Sequence, residues 1–225
     1  MNKIFSVLLA SSLLTGVGCV PDNQSIHILN AMQQPNKDCI ITIDETVQKS
    51  GGSVDVGLTN TYIGALLITS DLETTNTQGG GTVIQSKTRN DFHISEVNLA
   101  YDTGGKIALK PRTLPIAGLV KAGGTLGLGL EFLTPDNAVL LADSGQIPLE
   151  GQGLLITVKI KLTGKFVNGS KLTTPEFFFP LTIYSSLVPK CTATQELVAT
   201  SDTVACRNVG QDGSGYRCVD KAAPK

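Results

Sequence analysis

The alternation of apolar and polar residues from Leu154 to Thr163 constrains the fold more than any other feature of the sequence. Successive side chains of a β-strand point to opposite faces of a sheet, so this segment predicts a strand with one buried and one wet face. The predicted inward residues are Leu154, Ile156, Val158, Ile160 and Leu162. A helix has a different period, and we therefore expect a protein built from sheets.

Several other segments of the chain are also predicted to be β-strands. Alternation predicts strands at Val54 to Leu58 and at Leu126 to Phe132. The nearly unbroken apolar runs in Tyr62 to Leu72 and Glu176 to Ser186 are typical of strands in the middle of a sandwich. Pro180 cannot donate a backbone hydrogen bond, which predicts a sheet edge or a bulge at that position.

Two local irregularities are also predicted. The apolar residues of Phe92 to Tyr101 change face around Ser95-Glu96, and a β-bulge is the simplest device that does this. The glycines that alternate in Gly123 to Gly129 lack the Gly-Lys-Ser/Thr ending of a phosphate loop. We predict that they leave one sheet face open for the close approach of another layer, which leaves either a packing role or a binding surface for another backbone.

Glycine-rich turn signals separate these segments, and the sequence contains 24 glycines and 10 prolines. The single modest helical candidate runs from Pro135 to Ala142, after Thr134. Short strands without long helices predict an all-β fold, namely an antiparallel immunoglobulin-like β-sandwich. From the length alone, the chain could form one large β domain or two small ones.

The N-terminus has the layout of a secretory signal, with Lys3 before the apolar run Ile4 to Leu14 and small residues after it. That run is about half of the roughly 20 residues that a membrane-spanning helix needs. The segment Leu14 to Cys19 resembles a bacterial lipobox, although Gly16 replaces the usual leucine. We expect cleavage before Cys19 and lipid attached to it; simple secretion or an uncleaved segment are the alternatives.

The cysteine count agrees with a lipidated Cys19, because five cysteines would leave an odd thiol in an oxidising compartment. The other four, Cys39, Cys191, Cys206 and Cys218, are predicted to form disulfides, which stabilise the tail. They lie too far apart for the close pairs of a typical zinc site. Four cysteines allow three connectivities, of which we prefer Cys39–Cys191 with Cys206–Cys218.

These features divide the chain into four predicted parts. They are a lipoprotein-type signal peptide (1–18), a polar tether (19–38), a β-sandwich domain (39–186) and a cysteine-containing tail (187–225). The tether is rich in Asn, Gln and Pro, which is typical of a linker. The tail loses the apolar alternation and is expected to need its disulfides for order.

The search for catalytic groups points away from an enzyme. The two histidines are His27, in the predicted tether, and His93, on the predicted outer face of a strand, and no Gly-x-Ser-x-Gly elbow accompanies them. The carboxylates of Asp44-Glu45 and of Asp71 and Glu73 fall near strand ends, where solvated loops are usual. Asn208, Asp212 and Gly213 faintly suggest a calcium loop, but no glutamate closes it, so we predict a structural turn.

The composition excludes some binding functions. Charged residues are 16% of the chain and the net charge is −1, so phosphate-backbone binding of nucleic acid is not expected. Sugar-binding modules commonly stack rings on exposed aromatics, yet the chain has no Trp. Only Phe178 and Tyr184, on the face opposite Phe177, Phe179 and Ile183, could form an exposed aromatic pair. We expect them instead to be buried under a loop or the tail.

With its lipobox cysteine, the early Cys39, the strand Tyr62 to Ile68 and a cysteine-bearing tail with a Gly210-Gln211-Asp212 turn, the chain resembles a group of uncharacterised outer-membrane lipoproteins of myxobacterial type. The resemblance spans most of the chain on loose motifs and brings no activity. The residue after Cys19 is Val20 and not Asp. In this respect the chain resembles lipoproteins that Gram-negative cells sort to the outer membrane.

The sequence thus leaves two hypotheses of function. The first is a non-catalytic envelope lipoprotein, held by lipid on Cys19 at the outer membrane, that offers an edge or loop to an envelope protein partner. It faces the periplasm or the cell surface. The alternative is a module that binds glycan or peptide. Neither hypothesis includes a metal, a cofactor or nucleic acid.

Overall fold

The computed structural model describes residues 25–32, 41, 43, 48–72, 77–78, 81–82, 90–148, 152–185, 191–199, 208–212 and 216–221. Within them the chain forms fourteen strands and one helix. In chain order these elements are β1 (Ile26–Met32), β2 (Gln48–Lys49), β3 (Gly52–Asp55), β4 (Tyr62–Ser70), β5 (Thr77–Gln78), β6 (Gly81–Thr82), β7 (Phe92–Asp102), β8 (Arg112–Val120), β9 (Thr125–Leu133), α1 (Pro135–Asp143), β10 (Leu154–Phe166), β11 (Lys171–Thr173), β12 (Phe177–Tyr184), β13 (Gln195–Ala199) and β14 (Tyr216–Asp220).

The strands form two main sheets. A four-stranded sheet has the order β2-β1-β4-β9, and a six-stranded sheet has the order β3-β12-β10-β7-β8 with β11 also paired to β10. Two-stranded ribbons are formed by β13 with β14 and by β5 with β6. All strand pairs are antiparallel except β3 with β12, which is parallel. The predicted all-β antiparallel fold is confirmed, while its immunoglobulin-like class stays a prediction.

The inner faces of the two sheets share one hydrophobic core. At its centre, Phe179 of the six-stranded sheet contacts Tyr62 and Phe132 of the four-stranded sheet, with ring centroids 5.8 Å and 4.9 Å apart. Tyr62 and Phe132 also contact each other at 5.9 Å. Such ring pairs contribute about 0.5–1.5 kcal/mol each beyond the burial of their area. These rings therefore tie the two sheets together.

Strand β10 is the best-predicted element of the molecule. Every predicted inward residue is at most 2% exposed, from Leu154 through Leu162. On the other face, Lys159 pairs with Asp102 at 3.2 Å and Lys161 with Glu176 at 3.1 Å. One face of the strand thus belongs to the core and the other carries exposed ion pairs.

The predicted bulge in β7 is confirmed. The register of β7 against β10 shifts between Glu96, opposite Thr163, and Ile94, opposite Gly164, so Ser95 is the extra residue. Its hydroxyl donates a hydrogen bond to the Thr163 carbonyl at 3.2 Å. Because of this bulge, Ile94 and Val97 are both buried although they lie an odd number of residues apart.

The predicted helix is also confirmed as α1, which begins at Pro135 and ends one residue later than predicted, at Asp143. Proline at the first helical position is favoured because its missing N–H has no intrahelical partner there. Asn137, in the first turn, is fully buried. Its side chain bonds both backbone groups of Lys110, at 2.9 Å and 3.0 Å, and thereby holds the helix on the chain before β8.

The predicted tether (19–38) is wrong for residues 26–32, which form β1 inside the four-stranded sheet. Ile26 and Ile28 point into the core, and so does Ala31, although it lies an odd number of residues away from them. The reason is a register shift between Ile28 and Asn30 against β4, which interrupts the alternation that would have revealed a strand. The sheet domain therefore begins well before the predicted boundary at residue 39.

The alternating glycines of β9 have the predicted packing role. A Cβ atom added at Gly127 or Gly129 would lie 2.7 Å or 2.8 Å from a side-chain carbon of Ile41, closer than carbon atoms can approach. Ile41 also packs against Met32, Ala65 and Leu67, a second small apolar cluster on the outer face of the four-stranded sheet. The glycines thus open this face to a covering residue.

Pro180 lies where the sequence predicts an edge. In β12 the pairing with β3 begins only at Leu181, opposite Gly52, while the pairing with β10 continues on the other side through Pro180 itself. Proline is tolerated there because the six-stranded sheet requires no donor on that side.

Candidate functional site: the tail clasp and the exposed strands

The tail returns to the body of the protein through residues Asn208–Asp212, which we call the tail clasp. Its backbone runs along the edge of β3: the Asp55 amide donates to the Gly210 carbonyl, and the Asp212 amide donates to the Ser53 carbonyl, both at 2.8 Å. Val54 and Gln211 form an antiparallel bridge between these bonds. The clasp therefore covers the edge of the six-stranded sheet that β3 would otherwise expose.

Gln211 is the centre of this clasp and is fully buried. Its amide nitrogen donates to the Ile63 carbonyl at 2.7 Å, and its amide oxygen accepts from the Ile63 N–H at 3.1 Å. Ile63 lies where the register of β4 against β9 shifts. One side chain thus supplies both hydrogen bonds that a neighbouring strand would supply, and it does so across 148 positions of sequence.

The Asp212 carboxylate lies beside the core ring of Tyr62. It accepts hydrogen bonds from the Ser53 amide at 3.1 Å and from the Tyr62 hydroxyl at 3.3 Å, and it pairs with the ammonium group of Lys49. Lys49 also lies over the Tyr62 ring, 5.5 Å from its centroid. The two charged side chains are only 18% and 11% exposed. The ion pair compensates both charges, and its role is to hold the tail to β2 and β4.

The calcium-loop interpretation of this segment was rejected on sequence, and the structure supports a turn. Gly210 and Asp212 have positive φ angles of 93° and 54°. The Asn208 amide donates to the Thr61 hydroxyl at 2.6 Å. In the described part of the chain, no three His, Cys, Asp or Glu residues are grouped as a metal site would require, and Gly213 lies outside that part.

The preferred cysteine pairing is wrong, since the disulfide joins Cys191 to Cys218. The Cα atoms are 5.4 Å apart, within the range of ordinary disulfides. Cys218 lies in β14 opposite Leu197 of β13, so the bridge closes the β13–β14 ribbon near its base. Strand pairing brings the two cysteines together, and sequence spacing does not reveal it. Cys19, Cys39 and Cys206 lie outside the described residues.

The histidines are not brought together by the fold. His27 lies in β1, and its Nδ1 is 3.5 Å from a carboxylate oxygen of Asp71 in a partly exposed pair. His93 lies exposed on β7, between Leu119 of β8 and Lys165 of β10. Asp44, Glu45 and Glu73 fall outside the described residues.

One open depression has polar walls. It is lined by Ser50 to Ser53, Pro180, Thr182 and Asp212 and has a volume of about 500 Å³. Its hydroxyl and backbone groups could meet a polar ligand. Its single carboxylate, on Asp212, is already bound to Lys49, Ser53 and Tyr62.

The outer face of the six-stranded sheet carries exposed large apolar side chains, namely Leu155 at 61%, Phe178 at 55% and Leu119 at 40%. Phe178 lies directly opposite Lys159 of β10. Tyr184 is on the same face but is half-buried, and six residues of strand separate it from Phe178 by roughly 20 Å. The candidate aromatic pair is therefore not formed, and Phe178 is exposed, whereas burial under a loop or the tail was the favoured prediction.

A polar ladder crosses the same outer face. The Thr113 hydroxyl donates to the Asn98 amide oxygen at 2.8 Å, and the Asn98 amide nitrogen donates to the Thr163 hydroxyl at 3.2 Å. The hydroxyls of Thr163 and Thr173 then lie 3.1 Å apart. These bonds link four strands, from β8 to β11, through their exposed side chains. None of the side chains in this ladder is titratable.

Comparison with the models of known protein families and with curated proteins finds no match for this chain. In the part of the chain that the structure describes, no helix has the length and apolar character needed to cross a membrane.

Proposed function

We propose that this chain is a non-catalytic envelope lipoprotein, anchored by lipid on Cys19 at the outer membrane, whose sheet domain is an interaction module for an envelope protein. The observation that carries this proposal is the contrast between engaged polar groups and free strand surface. The carboxylate of the tail clasp, on Asp212, binds the ammonium group of Lys49, whereas Leu155, Phe178 and the edge of β9 are exposed.

The titratable groups support a non-catalytic role. A hydrolytic site needs a nucleophile, a base and an orienting group within hydrogen-bond reach of one another. His93 is exposed on a strand between Leu119 and Lys165, and His27 contacts a single carboxylate. Neither histidine lines the depression beside Asp212. The arrangement favours binding over chemistry.

The N-terminal sequence supports the anchor. The apolar run is too short to span a bilayer, and Cys19 follows a lipobox-like segment. A single acyl chain gives reversible binding, so stable attachment requires more than one chain, as a lipidated N-terminal cysteine supplies. Val20 supports sorting to the outer membrane.

Two measurements test the proposal. In envelope fractions, the wild-type protein should carry a lipid mass on Cys19, and the Cys19→Ala variant should lose that mass and leave the membrane. The tagged, lipidated protein should retain a stoichiometric envelope protein in affinity capture, identified by mass spectrometry. A Cys19→Ala protein that still sediments with membranes would refute the anchor.

The alternative is a module that binds glycan or peptide. The polar depression beside Pro180 and the exposed ring of Phe178 favour it. Saturable binding of a soluble cell-wall glycan, lost in Phe178→Ala but retained in a control such as Leu155→Ala, would support this alternative over the assembly role.

A further inference from the structure

The edge of β9 differs from the other sheet edges in the described chain. The edge of β3 is covered by the tail clasp, β2 and β11 have two and three residues, and β8 contains Pro115. β2 pairs only with the last two residues of β1, and the part of β1 that it leaves open contains a register shift between Ile28 and Asn30. β9 has nine residues and, among the described strands, pairs with β4 alone. Its register irregularity lies at Phe132, so residues 125–131 form a regular edge without proline, on which another strand can pair.

The phase of the hydrogen bonds identifies the groups that face outward. The Ser70 amide donates to the Gly124 carbonyl at 3.0 Å, and the register continues with Thr69 opposite Thr125. Hydrogen-bonded and non-hydrogen-bonded pairs alternate along an antiparallel ladder. The N–H and C=O groups of Thr125, Gly127 and Gly129 therefore point away from β4. Two of these residues are glycines, which have no side chain of their own, and Ile41 packs against them from the outer face of the sheet.

The sequence of this edge is self-complementary. Residues Leu126 to Leu130 read Leu-Gly-Leu-Gly-Leu, which is the same in both directions about Leu128. Two antiparallel copies related by a two-fold axis at Leu128 place Gly127 opposite Gly129 of the second copy. All the outward backbone groups then meet a partner, as an isologous interface requires.

The side chains agree with this register on both faces. On the inner face, Leu126 lies opposite Leu130 of the second copy and the two Leu128 side chains meet. Leu126 is half-buried and the other two leucines are 8% exposed, so they stand at the rim of the core. On the outer face, the Thr125 hydroxyl lies opposite the exposed Glu131 carboxylate of the second copy, twice in each dimer.

We propose that two copies of this chain associate through β9, in the register that pairs residue 125 with residue 131, and join their four-stranded sheets into one continuous sheet. This inference deepens the proposed function and rests on it, because it names a second copy as a protein that the module binds. Pairing with an unrelated peptide would not require a palindromic sequence in β9. The palindrome therefore favours a second copy of this chain as the partner.

Directed disulfide formation tests both the partner and the register. Thr125→Cys and Glu131→Cys are introduced separately into the full-length protein, and the two variants are co-expressed. The paired positions should yield a disulfide-linked dimer that joins the peptides of residues 125 and 131. Each variant expressed alone is the matched control and should give at least ten-fold less dimer, because its new cysteine faces a Glu or a Thr.

A variant that cannot donate a hydrogen bond from the β9 edge tests whether the dimer forms through this edge. Thr125→Pro removes an outward N–H and leaves the ladder to β4 intact. In sedimentation at micromolar concentration, the wild-type protein should have twice the monomer mass and Thr125→Pro the mass of one chain. Thr125→Val keeps the N–H and should remain dimeric. Circular dichroism spectra that match the wild type confirm that each variant folds.

A monomeric wild-type protein without the mixed disulfide overturns the inference. If such a monomer still captures an envelope protein that Thr125→Pro releases, a foreign strand occupies the edge, and the proposed function survives. If the dimer forms but the protein carries no lipid and captures no envelope protein, the inference stands and the proposed function falls.

Discussion

Gln211 holds Ile63 by both of its backbone groups, through bonds of 2.7 Å and 3.1 Å that join the tail to a central strand of the opposite sheet. A side-chain amide has one donor and one acceptor direction that match a peptide group, so it can replace a missing stretch of neighbouring strand. The tail is in this way a structural part of the sheet domain.

Gln211→Ala should therefore destabilise the whole fold. The variant removes both hydrogen bonds to Ile63, and each such bond contributes about 0.5–1.5 kcal/mol, which gives about 1–3 kcal/mol for the two. We expect the free energy of unfolding in urea to fall by roughly that amount. The exposed Gln146→Ala is the control and should be neutral. Equal stabilities of the two variants would contradict a clasp.

The Lys49–Asp212 pair should show energetic coupling in a double-mutant cycle. Lys49→Met and Asp212→Asn each leave a partner charge that is largely buried. The double variant should be more stable than the sum of the two single effects predicts, by about 1–2 kcal/mol. The cycle for the more exposed pair Lys161 and Glu176 is the control, and we expect less than about 0.5 kcal/mol there.

The disulfide pattern can be read directly by non-reducing peptide mapping. The peptides that contain Cys191 and Cys218 should be linked, which leaves Cys39 and Cys206 as the remaining pair if Cys19 carries lipid. A bridge across 27 positions contributes at most about 3–4 kcal/mol by chain entropy. Cys191→Ser with Cys218→Ser should lower the free energy of unfolding accordingly. A Cys39–Cys191 peptide would contradict the structure.

Tyr101 should make the fold sensitive to alkaline pH. Burial raises the pKa of its hydroxyl above 10.0, although the side chains of Asn137 and Thr134 offset part of this effect. The unfolded chain then loses this proton at a lower pH than the folded chain does. Stability should therefore fall above pH 10, with a slope of up to about 1.4 kcal/mol per pH unit.

Tyr101→Phe isolates this contribution, because the variant lacks only the ionisable hydroxyl. The free energy of unfolding of the variant should decline less steeply between pH 9 and pH 11 than that of the wild type. Identical slopes for the two proteins would show that Tyr101 ionises normally.

Most of what could be predicted about the sheets follows from the alternation of apolar and polar residues along the strands. The inward residues of β10, the bulge at Ser95 and the glycine face under Ile41 each follow from a local rule about which way a side chain points. β1 was missed because its register shift between Ile28 and Asn30 interrupts that period, and the polar residues around it resemble a linker.

The clasp was beyond sequence analysis for a different reason. The turn at Gly210-Gln211-Asp212 is visible, but nothing local indicates that Gln211 binds Ile63 or that Asp212 binds Lys49 and Tyr62. Those partners lie about 150 or more positions away. The disulfide was missed likewise, because its pairing follows from the β13–β14 register.

By itself, the sequence determined the all-β class, the faces of the main strands and the helix that follows Thr134, since each depends on neighbours within a few residues. The tertiary structure decided which strands pair, where the domain begins, which cysteines join and how the tail is held. The physical reason is that these features depend on backbone and side-chain groups from distant segments that satisfy one another only after the two sheets have packed.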